Sequence, residues 1–127
     1  MKNILKILLV FLVVSSCEET IIIDSRQVDP VVIVEGLITD QDQFHYVRVT
    51  RTVDFYDTVA TEPITDALVF VQDSRSNFRG YSHNPSGNPD LAGYYISNEQ
   101  FAGQVGVEYT VSVTVGDEIY TGKDLLN

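Results

Sequence analysis

Short runs of alternating apolar and polar residues recur along this chain. Beyond its first 16 residues, no window sustains the i, i+3, i+4, i+7 spacing of an amphipathic helix. The clearest run is 109–115. Tyr109, Val111, Val113 and Val115 share one face, and Thr110, Ser112 and Thr114 share the other. Gly116-Asp117 then forms a two-residue loop with glycine first, which suits a type I′ or II′ turn, and 118–121 pairs back across it. The same reading predicts strands at 31–39, 46–52, 67–72, 78–82 and 93–97, with a turn over 73–77. Val32, Val34, Gly36 and Ile38 share a face. In the second run Val47 and Val49 point inward, and Arg48 and Thr50 point out. Six or seven strands with no helix predict an all-β, antiparallel β-sandwich over 31–127, with a small closed barrel as the alternative. Ile21-Ile22-Ile23 reads as a first edge strand, set apart by Pro30. Residues 38–45 form a polar loop, and 83–93, rich in Pro, Gly and Asn, is predicted to be long and irregular.

Composition narrows the chemistry. Eighteen acidic residues face eight Lys and Arg, a formal net charge of −10, which argues against sequence-independent nucleic-acid binding. A single cysteine excludes an intramolecular disulfide and a Cys-rich zinc site. No phosphate-binding glycine loop is present, and Gly103 and Gly106 read as turn glycines. Residues 80–84 lack the second glycine of a nucleophile elbow, and adjacent Ser82 and His83 face opposite ways on a strand. Glu35, in an apolar strand, is the one acid with a plausible shielded setting. A solvated or hydrogen-bonded structural role is the plainer reading, and a general acid is the alternative, which requires a concave pocket near a second carboxylate. Asp40-Gln41-Asp42 has the spacing of calcium ligands but lacks the glycine and glutamate of an EF-hand loop. His45 and His83 have no third ligand in view. No catalytic, cofactor-binding or metal-ligating residue is assigned. The adjacent aromatics Phe55-Tyr56 and Tyr94-Tyr95 each turn one ring outward if extended, either as core and rim packing or as a partner or glycan contact.

The N-terminus carries an address. Lys2 and Lys6 precede an unbroken apolar run over 7–14, followed by Ser15, Ser16 and Cys17. That order predicts a cleaved signal peptide over 1–16, and the run is too short to span a bilayer. Val14-Ser15-Ser16-Cys17 resembles a bacterial lipobox, which implies a diacylglycerol on the Cys17 sulfur, cleavage before it and acylation of the new amine. Several acyl chains, at ~0.8 kcal/mol per buried CH₂, make a lasting membrane anchor. Residues 17–30 are then the lipidated cysteine and its tether. Cleavage leaves six basic and eighteen acidic residues, a balance of −12. Glu18 and Glu19 resemble the export signal of Bacteroidota surface lipoproteins, which favours the cell surface over the periplasmic face.

Taken in order, CEE, VVIVEGLITD, VRVTRTVDFYD, ITDALVFVQD, GYYIS and VEYTVSVTVGDEIYTG resemble the N-terminal region of a Bacteroidota outer-membrane lipoprotein family, domain of unknown function 4249. The resemblance covers most of 17–122. It implies an immunoglobulin-like or transthyretin-like sandwich on the outer membrane, often beside TonB-dependent transporters, and it transfers only Cys17 as a site. Members usually continue into a second β-rich region, so a chain ending at Asn127 reads as a truncated reading frame, a fragment or a short variant. The expectation is a non-enzymatic, lipid-anchored binding or scaffold module that uses a sheet face or the 83–93 loop. A carbohydrate-active accessory enzyme using Glu35 and a calcium-stabilised adhesion module are the alternatives.

Overall fold

The structure is a computed structural model that describes residues 29–53 and 61–127. Its strands are β1 (Val32–Leu37), β2 (Tyr46–Thr52), β3 (Thr61–Pro63), β4 (Leu68–Asp73), β5 (Phe78–His83), β6 (Tyr94–Ser97), β7 (Glu108–Val115) and β8 (Glu118–Leu125). Among the described residues the only helical element is one turn of 3₁₀ helix, Pro89–Leu91. Every strand pairing is antiparallel, in the order β1-β2-β6-β5-β4-β7-β8, and β3 shares with β6 the second edge of β2. The sheet curls around one core, built from Val47 and Val49 of β2, Val69 and Val71 of β4, Tyr95 of β6 and Val113 of β7. This is the all-β, antiparallel, sandwich-like fold that the alternation predicts. The Ile21–Ile23 strand, Cys17, Phe55 and Tyr56 lie outside the described residues.

Most strand positions follow from period-2 patterning. Tyr109 and Val113 are buried, and Val111 and Val115 pack against the same core. The 116–117 turn has Gly116 at φ +59° while Asp117 stays out of the left-handed region, the φ pattern of a type II′ turn. Three details depart from expectation. Thr50 does point to the outer face, but it is buried, because the register sets it between Ile33 of β1 and Pro63 of β3. β3 has no signature of its own and forms only because β2 offers it an edge. β8 runs four residues past Thr121, since Lys123 and Asp124 continue the ladder with β7 opposite Thr110 and Tyr109. The ends of β1 and β8 meet at Gly103. Its N–H donates to the Thr39 carbonyl, and a Cβ there would lie 2.6 Å from that oxygen and 2.8 Å from Leu126. Only glycine permits this approach.

Polar side chains fix the corner between β4 and β5. Asp73, on the inner face at the end of β4, organises the 73–77 turn. Its Oδ1 accepts from the Arg75 and Asn77 N–H groups, both at 2.9 Å, and its Oδ2 accepts from Asn77 Nδ2 at 2.7 Å. Arg79 lies 3.6 Å from the same carboxylate and stacks over the Phe101 ring at 4.2 Å. Burial, the largest single influence, pushes the Asp73 pKa up. The Asn77 side chain, the two N–H donors and Arg79 together outweigh it and hold the carboxyl below its usual value. A depressed folded-state pKa contributes stability above the unfolded value of about 4, and that stability is lost as pH falls through the folded value. Asp73→Asn is therefore expected to lower stability by about 2 kcal/mol at pH 7. The gap to wild type should shrink as pH falls from ~4 through the lower folded value, because protonation then costs wild type the same contribution. Urea midpoints at pH 7 and pH 3 measure it, and an equal gap at both would refute the assignment.

Candidate functional site

The curl gives the sheet one continuous outer face, and its richest corner lies on β1, β2 and β6. Tyr46 and Arg48 alternate outward on β2, and the register puts them beside Ile96 and Tyr94 of β6. The Tyr46 and Tyr94 rings lie 5.6 Å apart, tilted by 54°. The Arg48 guanidinium sits 5.6 Å from the Tyr94 ring centre and donates to Glu35 Oε2 at 3.1 Å. Leu37 and Phe44, both about half exposed, flank this cluster. Two aromatic rings, an arginine held by a carboxylate, and exposed aliphatic and aromatic neighbours form the kind of surface on which protein interfaces concentrate their binding energy.

The 83–93 loop borders Tyr94, and apart from its single 3₁₀ turn it is the long irregular connection that its composition predicts, held in one conformation by its own side chains. Asn84 Nδ2 donates to the Asn88 carbonyl at 2.7 Å, and Ser86 Oγ donates to Asn84 Oδ1 at 3.0 Å. Asn88 caps the 3₁₀ turn by accepting from the Asp90 N–H at 3.1 Å. His83 Nε2 accepts from the Gly93 N–H at 3.0 Å. Gly93, at φ +82°, lies too close to the Val49 carbonyl and Pro63 to carry a side chain. Asn, read in sequence as a loop former, joins Ser86 here in local bonds that fix one conformation. A pre-formed loop loses little entropy on binding.

The other candidate residues are dispersed. Glu35 is 54% exposed on a strand and paired with Arg48, so it lacks the shielded pocket that the general-acid reading requires. Ser82 turns outward and donates to Asn98 Oδ1 at 2.6 Å while His83 turns inward, as strand geometry demands. His45 is 2% exposed. Its ring Nε2 donates to the Phe101 carbonyl at 2.8 Å, and its N–H donates to Ser97 Oγ, so it is a core histidine. Asp40 and Asp42 are exposed, and no group of three or more potential ligands gathers among the described residues. Tyr95 is the buried ring of its pair and Tyr94 the outward one, as alternation predicts. Gly103 and Gly106 sit in the connection before β7.

Sequence reasoning missed the Tyr46–Arg48–Tyr94 cluster. The parity of Tyr46 and Arg48 was legible, but the pairing of β2 with β6, a partner far along the chain, was not. It also missed the inner-face polar group of Asp73, Arg79 and Tyr81. There the Tyr81 hydroxyl is buried with no protein partner, and burial pushes its pKa up to about 12 against the opposing charge of Arg79.

A sequence model described as Domain of unknown function (DUF4249) matches residues 18–124. No curated protein and no solved structure matches the chain.

Proposed function

The chain belongs to the family described as Domain of unknown function (DUF4249), and from that premise we propose that it is a lipid-anchored, non-enzymatic binding or scaffold module of the bacterial outer membrane. Cys17 carries the anchor, and residues 17–30 tether the sandwich-like domain to the membrane. The domain engages a protein partner beside an uptake complex of the TonB-dependent kind. The observation that carries this reading is the outer-face cluster of Tyr46, Arg48 and Tyr94 lying against a pre-formed loop. The lipobox-like run at 14–17 and the acidic Glu18 and Glu19 support the membrane address and the cell-surface side of it.

The contact face is tested in membranes carrying the lipidated protein, by cross-linking and co-purification of an outer-membrane transporter. Tyr46→Ala with Tyr94→Ala is expected to remove about 2 kcal/mol of binding, roughly 30-fold in recovered partner. Melting behaviour should change little, because both rings stand on the outer face. Replacing residues 84–92 by Gly and Ser, with His83 and Gly93 kept, should weaken capture as well. Undiminished recovery with both variants would discard this face.

A further inference from the structure

The two end strands of the sheet, β1 and β8, border a cleft of about 260 Å³. Its floor is Val47, Val71 and Val111, and its walls include Gly36 and Gly122. A Cβ at either glycine would meet its nearest neighbour only at ordinary contact distance, 3.5 Å at Gly36 and 3.7 Å at Gly122. Both strands offer unpaired backbone to this cleft among the described residues. The Thr52 N–H donates to the Val31 carbonyl. Hydrogen-bonded pairs recur at every second residue, so β1 turns the N–H and C=O groups of Ile33 and Glu35 toward β2 and those of Val32, Val34 and Gly36 toward the open side. The two-residue turn makes Val115 and Glu118 a bonded pair. It follows that Ile119, Thr121 and Lys123 turn theirs away from β7. Two open edges above an apolar floor are what an added strand satisfies.

Direction decides which strand. Six successive antiparallel pairings separate β1 from β8, so the two end strands point the same way. One strand running oppositely between them is antiparallel to both. A segment joined to β1 through a reversal would run in that direction, and the sequence before β1 contains Ile21-Ile22-Ile23. Residues 24–31 can span up to about 28 Å. Gly36 lies about 13 Å along β1 from Val32, and a neighbouring strand would lie ~4.8 Å across, so the cleft is within reach of the isoleucines.

We propose that Ile21–Ile23 docks between β1 and β8 as the strand that closes the sheet, with isoleucine side chains on Val47, Val71 and Val111. Where Cys17 is the lipid site, as proposed above, this places the acyl chains within a few residues of the end where β1 and β8 meet at Gly103, so that end faces the membrane.

Amide hydrogen exchange by NMR on the full chain tests the docking, with wild type compared against the triple variant Ile21→Ser, Ile22→Ser, Ile23→Ser. In wild type the Val34, Gly36, Thr121 and Lys123 amides should exchange at least about 10-fold more slowly than in the variant, while β4 amides stay alike. The protection should be independent of protein concentration. Equal exchange in the two chains overturns the proposal. So does protection that fades on dilution, which would put a second copy in the cleft. Should the variant fail to fold, wild type alone decides: contacts between isoleucine methyls of 21–23 and those of Val47 or Val111 support the docking, and their absence overturns it. Fatty-acid labelling of Cys17 is read separately, so failure of the anchor and failure of the strand are distinguishable.

Discussion

Cys17→Ser is expected to leave the 1–16 leader attached and to abolish incorporation of labelled palmitate. In the proposed lipidation the thiol sulfur is the nucleophile that receives the diacylglycerol, and a serine hydroxyl, with a far higher pKa, would not replace it. The effect should be all-or-none in chemistry and large in location. Losing several acyl chains at ~0.8 kcal/mol per CH₂ removes more anchoring energy than any surface substitution could. The measurement is palmitate labelling, with protein size on a denaturing gel. Undiminished labelling and a normally shortened chain would sink the lipid assignment. The sandwich-like domain should be unaffected, since Cys17 lies twelve residues before the first described one.

Tyr95→Ala is expected to be the most damaging single change within the fold, at roughly 4–5 kcal/mol, enough to unfold a domain of marginal stability. Tyr95 is 1% exposed at the centre of the core. Its hydroxyl donates to the Ile64 carbonyl at 2.8 Å and accepts from the Ala67 N–H at 2.9 Å. One side chain thus fills the interior and closes the 64–67 connection into β4. Truncation leaves a cavity and two unpaired backbone groups together. Tyr95→Phe isolates the second effect. It keeps the ring, strands the carbonyl and the N–H, and should cost about 2 kcal/mol. Chemical denaturation of the three proteins gives both values. A Phe variant as stable as wild type would mean that the hydroxyl bonds contribute nothing net.

The legible part of the fold was the part governed by neighbours in sequence. Tyr46–Thr52 was placed to the residue, because Val47, Val49 and Arg48 alternate without interruption. The β7–β8 hairpin followed from Gly116-Asp117. The Tyr94-Tyr95 pair divided between faces as a strand must divide it. The site was less legible. Arg48 and Tyr46 were visible as outward residues, yet nothing local says that Tyr94, nearly fifty positions later, lies beside them. Glu35 shows the converse. In sequence it is an acid in an apolar run. In the fold it is an exposed group paired with Arg48, because alternation turns it to the outer face of β1, an end strand among the described residues.

The sequence by itself determined the fold class, the strand faces, the turn at 116–117 and the family, since each rests on spacing along the chain and on residue types at fixed offsets. Only the tertiary structure decided the strand order, the burial of Thr50, the existence of β3, the pinch at Gly103 and the aromatic cluster on the outer face. Each depends on which distant strand supplies the neighbour. Period-2 patterning tells a side chain which face it occupies and is silent about what stands next to it on that face.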